Sequence, residues 1–106
     1  MEVISTNREQ TYTLELRGEL DHHNAREAIR KMEFTLDSAV PKQLVLDFGG
    51  VTFMDSSGIA LVVGAQRRMA KLGGNAVLRH VPPQAKKVFD AAGITRMVPI
   101  VEEDKV

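Results

Sequence analysis

The stretch LVLDFGGVTFMDSSGIALVV, residues 44–63, contains the clearest indications of fold class in the chain. Leu44 to Phe48 form an almost continuous apolar run, which is typical of a strand covered on both faces in a parallel sheet. Gly49-Gly50 predict the end of that strand, and Val51 to Met54 predict a short extended run beyond it. Apolar residues then recur at helical spacing, so the stretch predicts a strand, a loop and a helix of an α/β protein.

The residues before this stretch predict a β-hairpin followed by a helix. Thr11 to Arg17 alternate between apolar and polar side chains, which indicates a half-buried strand ended by Gly18, and Val3-Ile4 predict a shorter strand before it. The carboxylate of Asp21 can accept the free N–H groups of a first helical turn, so we expect a helix from there to Pro41. Its buried face is predicted by an apolar stripe: Ala25, Ala28, Ile29, Met32 and Leu36.

The residues after the stretch predict two further strands and a third helix. Gly73-Gly74 end the second helix, Ala76 to Leu78 indicate a buried strand, and Pro82-Pro83 open the third helix. Val98 to Val101 predict the last strand. The element order is β-β-α-β-α-β-α-β. It predicts an α/β fold with a mixed, mostly parallel sheet of four to five strands, an N-terminal β-hairpin and three or more helices.

Composition limits the classes of partner and compartment. The chain of 106 residues is long enough for one domain, 1–106, with its own core. Fourteen basic residues balance fourteen acidic ones, so we expect no general attraction to nucleic acid or to an anionic membrane. There is no cysteine, no secretory signal pattern and no apolar run near the roughly 20 residues of a membrane span. We therefore expect a cytoplasmic protein.

Catalytic and metal-binding patterns are weak. The histidines are His22, His23 and His80, and adjacent residues at a helix start point in different directions, which disfavours a metal site. The glycine–X–serine–X–glycine pattern of a nucleophile elbow is absent, as are the Walker and dinucleotide-binding motifs. We expect no enzymatic activity, no metal and no cofactor.

Asp55-Ser56-Ser57-Gly58 is the segment that suggests a function. Two serines at a helix start have an ordinary explanation, which is that one of them caps the helix. The second hydroxyl would then lie in the loop ahead of the helix, within reach of a kinase. A phosphate there would meet free N–H groups and the positive end of the helix dipole, and would add about −1.5 to −2 charges beside Asp55. Gly58, which lacks a side chain, would let a partner's backbone approach closely.

Two stretches resemble the STAS family, in particular its sporulation (SpoIIAA-like) anti-sigma factor antagonists: Gly18 to His23 and Val51 to Ile59. The element order and the residues from Phe89 to Ile94 agree with the same family. The resemblance implies a single STAS domain that binds a cytoplasmic anti-sigma factor, itself a serine kinase, and thereby releases a sigma factor. It also implies that the kinase phosphorylates the first serine, Ser56, and then dissociates. A separate PP2C-type serine phosphatase restores the active form.

The resemblance further implies which residues contact the partner. Asp21 is expected in a partner-facing loop beside the phosphorylation site. The expected partner-binding set takes in both loops: Asp21, His22, Asp55, Ser57, Gly58 and Ile59. Because ATP belongs to the kinase, the protein needs no cofactor of its own. Family members commonly continue into a C-terminal helix, which we expect to be short or missing over residues 101–106.

Two alternatives stay open at the level of sequence. One is a STAS module of a general stress-response pathway, whose members look similar at the phosphorylation site and differ at the Asp21-His22-His23 loop. The other is a nucleotide-binding or nucleotide-hydrolysing protein. For that class, Asp21 or His22 would have to act as a general base near Ser56.

Overall fold

The computed structural model describes residues 1–101, which form a five-stranded sheet, three α-helices and a short 3₁₀ helix. The strands are β1 (Glu2–Arg8), β2 (Thr11–Leu20), β3 (Gln43–Met54), β4 (Asn75–Arg79) and β5 (Ile100–Val101). The helices are α1 (His22–Ala39), α2 (Ser57–Lys71) and α3 (Pro83–Ala91), and the 3₁₀ helix is Ile94–Arg96. Apart from this extra turn, the element order is the predicted one.

The strands lie in the sheet in the same order as in the chain, from β1 to β5. β1 and β2 are antiparallel, and each later pair of neighbours is parallel, with one α-helix in each crossover. The hairpin turn consists of Glu9 and Gln10, whose φ values of 51° and 70° fit a two-residue turn in the left-handed region. The predicted mixed, mostly parallel sheet with an N-terminal hairpin is therefore confirmed.

One hydrophobic core joins the sheet to the helices. On β3, Leu44, Leu46 and Phe48 are fully buried, and the Phe48 ring meets Phe89 of α3 edge-on with ring centroids 5.4 Å apart. The predicted stripe of α1 is buried at these positions: Ala25, Ala28, Met32 and Leu36. Burial of this apolar surface is the main favourable term in folding, and it fixes each helix against the sheet.

Glycines do not end β2 or β3 where the sequence suggested. β2 continues beyond Gly18, and β3 continues through Gly49-Gly50, so both predicted strand ends are wrong. Gly18 has a φ of +107° at a register shift between the two strands, a conformation that glycine tolerates. At Gly50, a Cβ atom would lie 2.6 Å from Cγ of Arg17, so this glycine lets β2 and β3 approach each other.

The last strand is shorter than predicted. β5 contains only Ile100–Val101, and Val98 lies fully buried in the core ahead of it. The Val98 N–H donates to the carbonyl of Ile94 at 2.9 Å, so this residue closes the 3₁₀ turn instead of joining the sheet. The C-terminal helix considered above would fall on residues 102–106, which lie outside the described part of the chain.

Candidate partner-binding and phosphorylation site

Two loops meet at one end of the sheet, where β2 and β3 end. Leu20 pairs with Met54 in the parallel register, so the residues that follow, Asp21 and Asp55, leave the sheet side by side. The Asp55 N–H donates to the carbonyl of Leu20 at 3.3 Å, and this hydrogen bond ties the loops together. Because each loop leads directly into a helix, the N-termini of α1 and α2 lie at the same end of the sheet.

Asp21 fixes the start of α1. Its Oδ1 accepts the N–H of Asn24 at 2.9 Å, which confirms the predicted N-cap. The Asn24 side chain in turn donates to the carbonyl of Glu19 at 2.9 Å. These two hydrogen bonds close the loop before α1, and His22 enters the first turn with an exposed side chain.

The residue that caps α2 is an aspartate and not a serine. Oδ1 of Asp55 accepts the N–H of Ser57 at 2.7 Å, whereas the Ser56 side chain makes no capping hydrogen bond. The expectation that a serine caps this helix is therefore wrong. Ser56 already has helical dihedral angles, φ −64° and ψ −12°, and the carboxylate one residue earlier reaches the free N–H instead.

Asp55 is held in its ionised form. The hydrogen bond from the Ser57 N–H lowers the pKa of Asp55 below its usual value. The Ser57 hydroxyl, the His22 N–H and the positive charge of a protonated His22 act in the same direction, while partial desolvation opposes them. A full negative charge therefore stands beside Ser56 at neutral pH.

The Ser56 side chain is exposed at the start of α2. Among residues 1–101, no group forms a hydrogen bond with its hydroxyl. Ser57 differs, because it is half-buried and its N–H and hydroxyl both bond Asp55. The two serines are thus distinguished by structure: another protein can reach the first, while the second belongs to the helix cap.

Gly58 has a role other than the expected one. It is buried, and a Cβ atom at this position would lie 2.6 Å from Cγ of Met54 and 3.2 Å from Cδ2 of Leu20. The missing side chain therefore allows α2 to pack on the ends of β2 and β3. The expectation that Gly58 makes room for a partner's backbone is corrected, because the protein's own core fills that space.

A shallow groove of about 530 Å³ runs from Ser56 between α2 and α3. Most of its surface is apolar, and the residues that line it are Ser56, Ile59, Gln84, Lys87, Val88, Ala91 and Ala92. Ile59, which the resemblance places in the partner-binding set, is half-buried and forms part of this lining. The groove thus places an apolar surface directly beside the exposed hydroxyl.

Gln84 is a site residue that the sequence did not reveal. Its side-chain amide spans the backbone of Met54, since Oε1 accepts the Met54 N–H at 2.9 Å and Nε2 donates to the Met54 carbonyl at 2.8 Å. These bonds fasten α3 to the strand end that leads into Ser56. The two residues are 30 positions apart, and no local pattern relates a glutamine in a first helical turn to a distant strand.

The histidines beside Asp21 lie at the surface, in the first turn of α1. Residues 1–101 contain no group of three His, Cys, Asp or Glu side chains that could hold a metal ion. Within the same part of the chain, no helix has both the length and the apolar character that a membrane crossing requires.

The sequence profile of the STAS domain matches residues 2–104. The chain belongs to the STAS family. This STAS domain is 32% identical over 85 residues to the anti-sigma F factor antagonist of Lysinibacillus sphaericus, covering 80% of this chain and 73% of that protein. Its fold is similar to that of the anti-sigma factor antagonist SpoIIAA in its unphosphorylated form, with a TM-score of 0.83, 27% identity and coverage of 98% and 91% of the two chains. The phosphorylated form of SpoIIAA, described as a Bacillus cell fate determinant, gives a TM-score of 0.74 at 27% identity, covering 98% of this chain and 95% of that chain.

The family resemblance and the predicted SpoIIAA-like fold are therefore confirmed. In this STAS domain, the loops that carried the resemblance lie side by side at the ends of β2 and β3. This end of the sheet brings together Asp21, His22, Asp55 and Ser56, while Gly58 lies beneath it. Their roles in phosphorylation and partner binding stay predictions.

Proposed function

We propose that this STAS domain is an anti-sigma factor antagonist that is switched off by phosphorylation of Ser56. In its unphosphorylated form it binds an anti-sigma factor, itself a serine kinase, in the cytoplasm and so releases a sigma factor for transcription. The observation that carries the proposal is the exposed Ser56 hydroxyl, which lies between the Asp55 carboxylate and an apolar groove. The similarity to an anti-sigma F factor antagonist and to SpoIIAA, which is known in both phosphorylation states, supports it.

In this proposal the partner-binding surface consists of the two loops at the ends of β2 and β3 together with the adjoining groove. Its polar and charged part consists of Asp21, His22 and Asp55. Ile59 adds apolar surface next to Ser56. Ser57 acts through its hydrogen bond with Asp55, and the buried Gly58 acts by letting α2 pack against the core.

Phosphorylation changes the charge of this surface without disturbing the fold. Modifying the Ser56 hydroxyl breaks no hydrogen bond among residues 1–101, and a phosphate there would lie at the N-terminus of α2, the positive end of the helix dipole. The phosphate adds about −1.5 to −2 charges next to Asp55, which is already ionised. A partner that packs against the groove therefore meets new bulk and like charge, and it dissociates. A PP2C-type serine phosphatase removes the phosphate and restores binding.

Incubation with the cognate kinase and ATP, followed by intact-mass measurement, tests the site assignment. We expect the wild type and Ser57→Ala to gain one phosphoryl group and Ser56→Ala to gain none. Ser57→Ala is the matched control, because it removes the neighbouring hydroxyl and leaves the exposed one in place. Phosphate uptake by Ser56→Ala together with its loss in Ser57→Ala would contradict the assignment.

Calorimetric titration of the kinase with the same protein tests the switching step. Ser56→Ala is expected to bind like the wild type, and Ser56→Asp is expected to show no measurable binding, because its carboxylate repels the same partner surface. Equal affinities of the two variants would contradict the proposal. Titrations with kinases of sporulation and of general stress-response pathways identify the pathway, and a nucleotide turnover assay on the protein alone checks the hydrolase alternative.

A further inference from the structure

β1 leaves one edge of the sheet open. The strand Glu2–Arg8 pairs with β2 along one side, and no strand of residues 1–101 pairs with its other side. Such an edge presents unpaired N–H and C=O groups, and monomeric proteins usually protect it with a proline, a lysine, a bulge or a very short strand. β1 has seven residues, contains neither proline nor lysine, pairs with β2 without a register shift, and carries charged side chains only at its two ends. The central part of this edge therefore lacks the usual protection against pairing with another strand.

Alternate residues of β1 direct their backbone groups to the open edge. In an antiparallel pair, residues that bond the neighbouring strand alternate with residues whose N–H and C=O groups point outward. The two-residue turn Glu9-Gln10 makes Arg8 and Thr11 the closing hydrogen-bonded pair. Counting back from Arg8, the residues that point outward are Val3, Ser5 and Asn7.

We propose that β1 pairs with β1 of a second copy of this chain, antiparallel and centred on Ser5. In this register Ser5 faces Ser5 of the second copy and Val3 faces Asn7, so the outward backbone groups of all three residues form hydrogen bonds. Glu2 faces Arg8 at both ends of the paired strands. The sheets of the two copies become one continuous sheet across a two-fold axis.

The charges of β1 select this arrangement. Its charged side chains are Glu2 at one end and Arg8 at the other, and neither takes part in an ion pair among residues 1–101. Arg17, which lies opposite Glu2 on β2, is already paired with Glu15. Antiparallel pairing centred on Ser5 forms two pairs of opposite charge, whereas parallel pairing in register places like charges together. A shift of two residues separates Glu2 from Arg8, so the charges also select the register.

The absence of cysteine from the chain makes disulfide trapping a direct test. Ser5→Cys places one thiol on the two-fold axis, where facing Cα atoms lie about 5.5 Å apart, within the range of a disulfide. Asn7→Cys is the matched control on the same strand edge, because its copy lies four residues further along, roughly 14 Å away. We expect Ser5→Cys to form a covalent dimer on mild oxidation and Asn7→Cys to stay unlinked. Equal cross-linking of the two variants overturns the proposal.

Sedimentation equilibrium of the untagged full chain supplies a second test. We expect the wild type to dimerise with rising concentration and Arg8→Glu to raise the dimer Kd about tenfold, because two attractive pairs become repulsive. Adding Glu2→Arg to Arg8→Glu exchanges the charges and is expected to recover the wild-type Kd. A wild type that stays monomeric up to its solubility limit, or a double variant that binds no tighter than Arg8→Glu, overturns the proposal. Neither measurement involves Ser56 or a kinase, so its outcome is independent of the proposed function.

Discussion

Gly58 and Gly64 lie on the same helix, α2, but in different surroundings. A Cβ atom at Gly58 would lie within 2.6 Å of the fully buried Met54 side chain, so Gly58→Ala forces the core to shift beneath Ser56. We expect this variant to lose about 1–3 kcal/mol of unfolding free energy through overpacking. Urea denaturation followed by circular dichroism measures the loss.

Gly64→Ala is the matched control for this prediction. The nearest atom to a Cβ there is Cε of Met32 at 3.9 Å, which is an ordinary contact, so alanine improves helix propensity without strain. The expected gain is up to about 1 kcal/mol. If Gly58→Ala were as stable as Gly64→Ala, the close packing of α2 on the strand ends would not matter for stability.

Chemistry at single residues is predictable from the sequence where the partner is near in the chain. Asp21 is correctly expected to cap α1, because it bonds an N–H only three positions ahead. For α2 the sequence predicts a cap but favours the wrong residue, since the backbone angles of Ser56 decide whether it or Asp55 reaches the free N–H. The role of Gly58 is predicted wrongly, because the side chains that occupy the space beside it include Leu20 on β2, which is distant in the sequence.

At the scale of elements, Gln84 attaches α3 to the end of β3. Gln84→Ala removes both hydrogen bonds to the Met54 backbone, and the partly buried N–H and C=O groups lose their partners. We expect a loss of about 1–2 kcal/mol in unfolding free energy and faster hydrogen exchange at the Met54 amide. Denaturation and exchange measured by NMR check the two effects separately.

Lys86→Ala is the control on the same helix. Lys86 forms an exposed ion pair with Asp90, so its removal should change the unfolding free energy by less than about 1 kcal/mol and leave exchange at Met54 as in the wild type. Unchanged exchange at Met54 in Gln84→Ala would show that the amide contact does not hold the strand end.

The elements themselves differ in how far the sequence predicts them. Helices and central strands follow from apolar periodicity, which is a local property of the chain. The continuation of β3 through Gly49-Gly50 does not, because it depends on β2, where Arg17 pairs with Gly50 beyond a register shift. The same limit applies to the link between Gln84 and Met54, which forms only after α3 has crossed back to β3.

At the scale of the whole molecule, stability depends on a charge that the fold buries. Asp47 on β3 is only 7% exposed. Its carboxylate accepts hydrogen bonds from the Gly49 N–H at 2.9 Å and from Arg79 at 3.0 Å, and Nδ1 of His80 lies 3.1 Å from its Oδ2. Burial raises the pKa of Asp47, but these partners outweigh it and hold the pKa below its usual value. The pKa of Asp55 is lowered as well.

These lowered pKa values predict how stability changes in acid. At pH values between the pKa of each carboxyl group in the folded protein and the ordinary aspartate pKa of about 4, the unfolded chain binds protons that the folded chain does not. The free energy of unfolding is therefore fully retained above this pH range and falls as the pH decreases through it. Asp47→Asn should reduce this pH dependence and, by depriving Arg79 of its charged partner, cost about 1–3 kcal/mol at neutral pH. Asp90→Asn removes one partner of an exposed surface ion pair and is the control, with an expected cost of less than about 1 kcal/mol at neutral pH. Urea denaturation at a series of pH values compares the three proteins, and an Asp47→Asn slope equal to that of the wild type would remove Asp47 as a source of acid sensitivity.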